Sequence, residues 1–469
     1  MIENTLQLES GAALVCTEAS LSVRPPPGKS KPKLNIPLKR VLWAYANGTS
    51  VEVHAAVDKR GAVKIEGKVP DAKQADAQEW VAGLMEAAYD GVKPQRRFLA
   101  IVNPIGGPGK AASIFKKIVE PILRAARCSC DTIFTEYYLH AKKVGAELDI
   151  DAFDAILSVS GDGIVHELYN GMAEHKYPRK AFRMPIAPIP AGSGNGLSLN
   201  LLGLKDGQNI VAATVNAIKG RPMPVDVCSV VQGGKRSFSY MSQCLGLMAD
   251  LDLGTEHLRI LGSNRFVYGY VRGIVTHKTY PFSISIREKD SDKHKMANDL
   301  REQLTKSPDE LFLSDLGPEV EDSSLPALLY ADEDDSEWTK IEEAVSYFYG
   351  GKCAYVSRDL MQFPVCMPND GAVDLAIQRK LPRGEMVTAM DSAEHGRLYW
   401  RESNLYYKAV AYRLKPLNKQ GYLSIDGEKF PFKEFHVEVH QGLGTMLSCY
   451  GHYRTERNEA LTAPKSKSK

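Results

Sequence analysis

Three kinds of feature are scarce in this sequence. The chain has 469 residues and only 8 cysteines, which are scattered. Cys128 and Cys130 stand close together without a second pair, so neither a zinc site nor a disulfide framework is expected. No run of about 18 apolar residues occurs, which leaves no ordinary membrane-spanning helix. Charge of one sign is not in excess: 59 Lys and Arg against 57 Asp and Glu argue against a dedicated nucleic-acid binder. The opening "MIENTLQLES" is acidic and polar, unlike a secretory signal. A reducing, cytoplasmic location is therefore expected.

The length calls for two or three domains. Residues 1–36, which include "PPPGKSKPK", are predicted to be disordered. Residues 37–95 read as a small accessory unit of short strands closed by one helix, "QADAQEWVAGLMEAAYDG". From residue 96 to 221 an apolar strand, a loop and a helix recur four times, the pattern of a parallel sheet covered by helices on both faces. Residues 222–449 read as an antiparallel β-rich domain. It is interrupted at 286–340 by an acidic, Ser- and Asp-rich segment that is predicted to be a mobile insertion. Residues 450–469 read as a disordered tail.

The glycine loops lie at the carboxyl ends of the parallel strands, where ligands bind in open α/β sheets. "NPIGGPGKA" is not a P-loop, because Pro104 and Ala111 stand where Gly and Ser or Thr belong. "GSGNGL" fails as a dinucleotide fingerprint at Leu197, and "HELYN" lacks the second zinc histidine. Each loop alone reads as a strand-to-helix turn. Together they offer exposed amides at several helix starts, a setting suited to phosphate. Asp162, between Gly161 and Gly163, reads either as a turn or cap residue or as an acid beside that cradle.

"VNPIGGPGKA", "SVSGDGIVHELYNG" and "PIPAGSGNGL" resemble the signature loops of the lipid kinase superfamily of diacylglycerol, ceramide and sphingosine kinases. "LGLMADLDLGTEHLRILGSNRF", "YVSRDLMQFPVCMPNDGAVDLAIQ" and the closing "SIDGE" resemble sphingoid long-chain base kinases of the fungal type. The accessory unit resembles the pleckstrin-homology-like region that precedes the kinase domain in several relatives.

The resemblance implies ATP-dependent phosphorylation of the primary hydroxyl of a sphingoid base, with Asp162 accepting the hydroxyl proton. It implies nucleotide contacts from Asn103, Gly106, Gly107, Gly109, Lys110, Thr135, Ser160, Gly161, Gly163, Gly192, Ser193, Gly194, Arg259, Arg265 and Glu428. Asn195 opens the helix behind the third loop. Asp252 is expected to meet the ammonium of the base, with Glu256 one turn along the same helix face, and Phe266, Leu360, Met361 and Phe363 to line its tail, although each of these four reads equally as core. Magnesium is expected with ATP, and no metal ligand is assigned. Transient contact with a membrane surface follows from a substrate that lives in a bilayer. Oligomeric state is left open. Ceramide or diacylglycerol as acceptor, and a catalytically dead lipid-binding scaffold, are the alternatives.

Overall fold

A computed structural model of the chain describes residues 4–26, 34–255, 264–313, 324–457 and 459–463. Four parallel strands form the expected sheet, in the order Ile186–Pro190, Ala155–Ser160, Arg97–Val102, Ser129–Phe134. All residues of Ala155–Ser160 are buried, so both of its faces are covered, as an uninterrupted apolar run requires. The strand order reverses between Arg97–Val102 and its two neighbours, which places the topological switch point at the loops that follow residues 102 and 160.

The β-rich part is antiparallel, as expected, with its own core around Phe282, Phe348, Tyr412 and Phe435. It is not separate from the parallel sheet. Strand Phe435–Ser448 pairs antiparallel with Arg221–Gln232 and Asn404–Pro416, and meets the parallel strand Ile186–Pro190 at Met446. One mixed sheet therefore runs through both lobes. Where it bends, the register of Arg221–Gln232 shifts between Val225 and Val227. Asp226 lies in that irregularity, fully buried, accepting from the Gly371 and Gly442 amides and from Lys352 at 2.8 Å.

Three expectations of disorder are corrected. Residues 4–37 hold a four-stranded antiparallel sheet, Asn4–Gln7, Ala13–Cys16, Ser20–Arg24 and Leu34–Pro37. Each strand has only four or five residues and buries one to three apolar side chains, Leu6, Leu14, Leu21 and Ile36 among them, so no alternation is visible in the sequence. A second sheet, Val41–Asn47, Ser50–Val57 and Gly61–Lys68, and the helix Gln74–Ala88 complete the unit, and Trp80 ties the helix to the Asn4 carbonyl. The unit is fixed to the parallel-sheet part. Lys219, at the end of helix Ile210–Lys219, donates to the Ala88 carbonyl at 2.9 Å, and burial pushes its pKa down to about 6. The Pro- and Lys-rich stretch 27–33 lies outside the described residues.

The interruption at 286–340 is also packed where it is described. Asp292 caps helix Lys293–Thr305 by accepting from the His294 and Lys295 amides. Helix Pro308–Leu313 docks on Arg221 through Asp309 and Phe312. Residues 324–338 lie on the lobe as an irregular strap, gripped through their main chain. Glu438 accepts from the Leu329 and Tyr330 amides at 2.6 and 2.9 Å, and Arg413 donates to the carbonyls of Tyr330, Ala331 and Glu333. Main-chain recognition leaves no side-chain periodicity to read. In the tail, Tyr453 and Arg457 are buried, and Arg457 donates to the Cys366 carbonyl. Residues 458 and 464–469 lie outside the described residues.

Burial opposes ionisation of Glu438, but the His436 ring and the two strap amides outweigh it and hold its carboxyl below the usual range. A depressed carboxyl pKa stabilises the strap fully above the unfolded value, about 4.3, and the contribution is lost as pH falls through the folded value. Limited proteolysis within 324–338 should therefore rise steeply below about pH 4.3. Glu438→Gln should permit cleavage already at pH 7, at a cost of roughly 1–3 kcal/mol. Equal cleavage of both proteins at pH 7 would show that Glu438 does not hold the strap.

Candidate active site

The loops leaving three parallel strands meet backbone to backbone. A Cβ on Gly161 would stand 2.6 Å from the Gly194 carbonyl oxygen, and one on Gly107 would stand 2.7 Å from the Gly192 carbonyl carbon and the Ser193 nitrogen. A Cβ on Gly192 would overlap Gly161 itself. Sheet pairing continues past the strand ends, because the Ala191 amide donates to Ser160 and the Asp162 amide to Gly194. Asn103 folds the first loop by accepting from the Ile105 and Gly106 amides. Asn195 folds the third, accepting from the Gly192 amide and donating to the Gly192 carbonyl. Ser193, Gly194, Gly107 and Gly109 remain exposed on the rim, with Lys110 at the entry to helix Ala111–Ile114. Thr135 and Glu136 follow the neighbouring strand, and the Thr135 amide donates to Val102.

Asp162 heads helix Gly163–Met172, yet its carboxylate caps a different helix. Oδ2 accepts from the Gly196 amide at 2.7 Å and Oδ1 from the Leu197 amide at 3.1 Å, at the start of helix Gly196–Asp206. Burial raises the Asp162 pKa, the Leu197 and Gly196 amides lower it, and the nearby Asp426 charge raises it again; the net direction is upward. Both readings of "GDG" thus share one residue: the acid is a cap and also stands at the glycine cradle.

The closing "SIDGE" is a two-residue hairpin between strands Leu423–Ile425 and Glu428–Phe430. Asp426 and Gly427 take φ of 51° and 84°, the left-handed pair that such a turn requires. Asp426 is buried and accepts from Ser239 Oγ, from the Tyr240, Met241 and Ser242 amides, and from His166 Nδ1 at 2.9 Å. His166 lies one turn into the helix that Asp162 heads. Burial disfavours its charge, but Asp426 outweighs that and raises its pKa. Asn170 bonds both the amide and the carbonyl of Phe238, which fixes its orientation and turns its nitrogen toward His166 Nε2 at 3.3 Å. The neutral ring with a proton on Nδ1 satisfies both neighbours. Glu428 Oε1 faces Gly163. Asp426 was hidden at the sequence level because its partners are remote in the chain; the left-handed D-G turn was the available signal.

Asp252 ends helix Leu247–Asp252 and accepts from Ser424 Oγ at 2.6 Å, so it is fastened to the same hairpin. Glu256 and Arg259 lie outside the described residues, so the expected helix face is described only as far as Asp252. Arg265 and Phe266 lie in helix Asn264–Thr276, and their side chains are outside the described set. Phe363 is fully buried against Tyr349 in the main core, and Met361 packs with Leu199, Tyr355 and Ala460. Leu360 is partly buried.

The diacylglycerol kinase catalytic domain family matches residues 97–230. Sphingoid long chain base kinase 4 of Schizosaccharomyces pombe is 31% identical over 419 residues, covering 88% of each chain. Sphingosine kinase 1 of Homo sapiens is 27% identical over 370 residues, covering 76% of this chain and 92% of its own. A Bacillus anthracis protein solved as a candidate diacylglycerol kinase shares the fold at a TM-score of 0.50 and 20% identity, over 76% of this chain and 98% of that one.

Gly192→Ala should force the second and third loops apart at a cost of roughly 1–3 kcal/mol, the usual range for overpacking. Gly384→Ala is the control, because a Cβ there meets open space and the site lies in helix Arg383–Ala393. That change should be neutral or stabilising by about 0.5–1 kcal/mol. Chemical denaturation of both variants checks the contrast, and equal stabilities would mean that the loop contact is not tight.

Proposed function

The chain belongs to the sphingoid long-chain base kinase family, and on that premise we propose that it transfers the γ-phosphate of ATP to the primary hydroxyl of a sphingoid base, giving the 1-phosphate. The observation that carries this reading is the placement of Asp162: its carboxylate is oriented by the Gly196 and Leu197 amides at the point where three glycine loops converge.

Phosphoryl transfer depends on positioning and charge stabilisation more than on a strong base. The Gly107 amide and those of Ser193 and Gly194, with Lys110, receive the phosphates, since glycine lets phosphate approach the chain. In this reading Arg259 and Arg265 add positive charge, as the family resemblance implies. Asp162 accepts the hydrogen bond of the substrate hydroxyl, aligns that oxygen for attack and takes its proton. Magnesium brought with ATP would neutralise phosphate charge, with Asp162 and Glu428 the carboxylates that could help hold it. Among the described residues no group of three His, Cys, Asp or Glu could hold a metal.

Asp252 is our candidate for reading the ammonium of the base. A sphingoid base carries that cation, whereas ceramide and diacylglycerol do not. Peripheral contact with a bilayer is supported by Val267, Tyr268, Val271 and Val275, which are exposed along helix Asn264–Thr276, and by exposed Val387 on helix Arg383–Ala393 beside it. Among the described residues no helix is long and apolar enough to cross a membrane. The four-stranded and three-stranded sheets closed by one helix support a pleckstrin-homology-like reading of the accessory unit.

Labelled ATP supplied with sphinganine, phytosphingosine, ceramide or diacylglycerol tests the substrate class; transfer confined to the neutral lipids would overturn it. Asp162→Asn should lower turnover by roughly 10²–10⁴-fold, the usual worth of a positioned acid–base group. It should also cost some stability, because one amide then faces an NH2 group. Asp252→Asn should raise KM for the base and leave ATP binding intact. The deciding quantity is the ratio of kcat/KM for the free base to that for an N-acylated analogue, and an unchanged ratio would remove Asp252 from amine recognition.

A further inference from the structure

We propose that Asp426, with His166 and Tyr240, is a positioning unit for Asp162, holding the acid's backbone from the opposite lobe. The inference rests on the kinase reading of Asp162 given above.

Its geometry is a closed ring. Asp426 Oδ2 accepts from the Tyr240 amide at 3.1 Å and from His166 Nδ1 at 2.9 Å. Both residues so held then donate to one atom, the carbonyl oxygen of Asp162. The Tyr240 hydroxyl reaches it at 2.9 Å, and the His166 amide reaches it at 3.3 Å from within the helix. One carboxylate oxygen of the β-rich lobe therefore controls two of the groups that fix the acid's main chain. The Asp162 side chain is fixed separately by Gly196 and Leu197. The Asp162 carbonyl and carboxylate are thereby oriented by separate donors.

Asp426 is not itself available to a ligand. Its side chain is fully buried, and Oδ1 is engaged by Ser239, Met241 and Ser242. A substrate or ion could reach it only by displacing one of these donors. Nor does the turn alone call for an acid, because Asn suits a left-handed turn position equally well. What calls for a carboxylate is the set of converging donors. An amide would direct two N–H groups at others and leave buried donors unmet.

Tyr240→Phe is the informative change, since it removes only the bond to Asp162 and leaves the Asp426 cluster in place. His166→Asn is the second variant, and Asp426→Asn joins them if it folds. Each is made in the full chain, alone and combined with Asp162→Asn, and assayed with sphinganine and labelled ATP. Tyr240→Phe should lower kcat about tenfold, as misplacement of a reacting group does, with KM for ATP unchanged. In the Asp162→Asn background it should cause no further loss, because the two act through one group. A merely structural role would lower the rate equally in both backgrounds, and that result would overturn the proposal, as would full kcat in Tyr240→Phe. Near-normal turnover of Asp162→Asn by itself would overturn the kinase role of Asp162 and this inference with it, and the single variant shows this before any combination is made.

Discussion

The site depends on one steric constraint, the contact of Gly161 with Gly192. Their strands are hydrogen-bonded neighbours, with Ser160 opposite Pro190, so their loops leave side by side. Adjacent strands lie about 4.8 Å apart, and two loops can stay that close beyond the strand ends only if no side chain intervenes. Glycine at both positions permits it, and Gly107 of the first loop closes on the same point. The capping bonds of Asp162 follow from this closeness. Its carboxylate spans from the second loop to the amides of the third, a reach that a splayed pair of loops would not allow.

Buried charge occupies the point where the shared sheet shifts register. Asp226 sits where the shared sheet bends and meets Lys352, which also reaches Asp370 and the Ala372 carbonyl. Lys408 bonds Asp370 and Asp374 beside them. Burial alone would lower the Lys352 pKa, but Asp226 and Asp370 raise it well above its ordinary value. Such a cluster adds little over an apolar core of the same volume, but it is costly to break because each charge left behind is unpaired. It accepts few alternative arrangements. A sheet that passes from one lobe to the other through an irregularity needs that kind of specification, since an apolar bend could repack in more than one way.

Much of the architecture was legible because burial on both faces leaves a strong trace. Three of the parallel strands are buried runs followed by a glycine loop and a helical period, and some of the longer antiparallel strands alternate; only the edge strand Ser129–Phe134 is polar and has no glycine after it. The parts that escaped have physical reasons. The strands at 4–37 bury too few side chains to alternate visibly beside a Pro- and Lys-rich stretch. The strap at 324–338 is held by its amides and carbonyls, so exposed acidic residues such as Asp334 and Glu337 dominate its composition. Around the site, Asp162 read as a cap of the helix that follows it or as an acid beside the cradle, but the helix it caps starts 34 positions later, a pairing visible only in three dimensions. The same limit hid Asp426, whose donors come from residues 166 and 239–242.

These features bear on how acidic Asp162 has to be. A carboxylate buried near Asp426 becomes more basic, and one accepting two amides at a helix start becomes less so. The two influences oppose each other, and burial with the Asp426 charge prevails. The capping bonds also divide the available amides. Gly196 and Leu197 are taken by Asp162, while Ser193 and Gly194 stay open on the rim. In the kinase reading this keeps two anions apart. The acid is anchored at the helix start, and the phosphates are directed to the turn before it, so the same glycine-rich stretch serves both without placing their charges on the same donors.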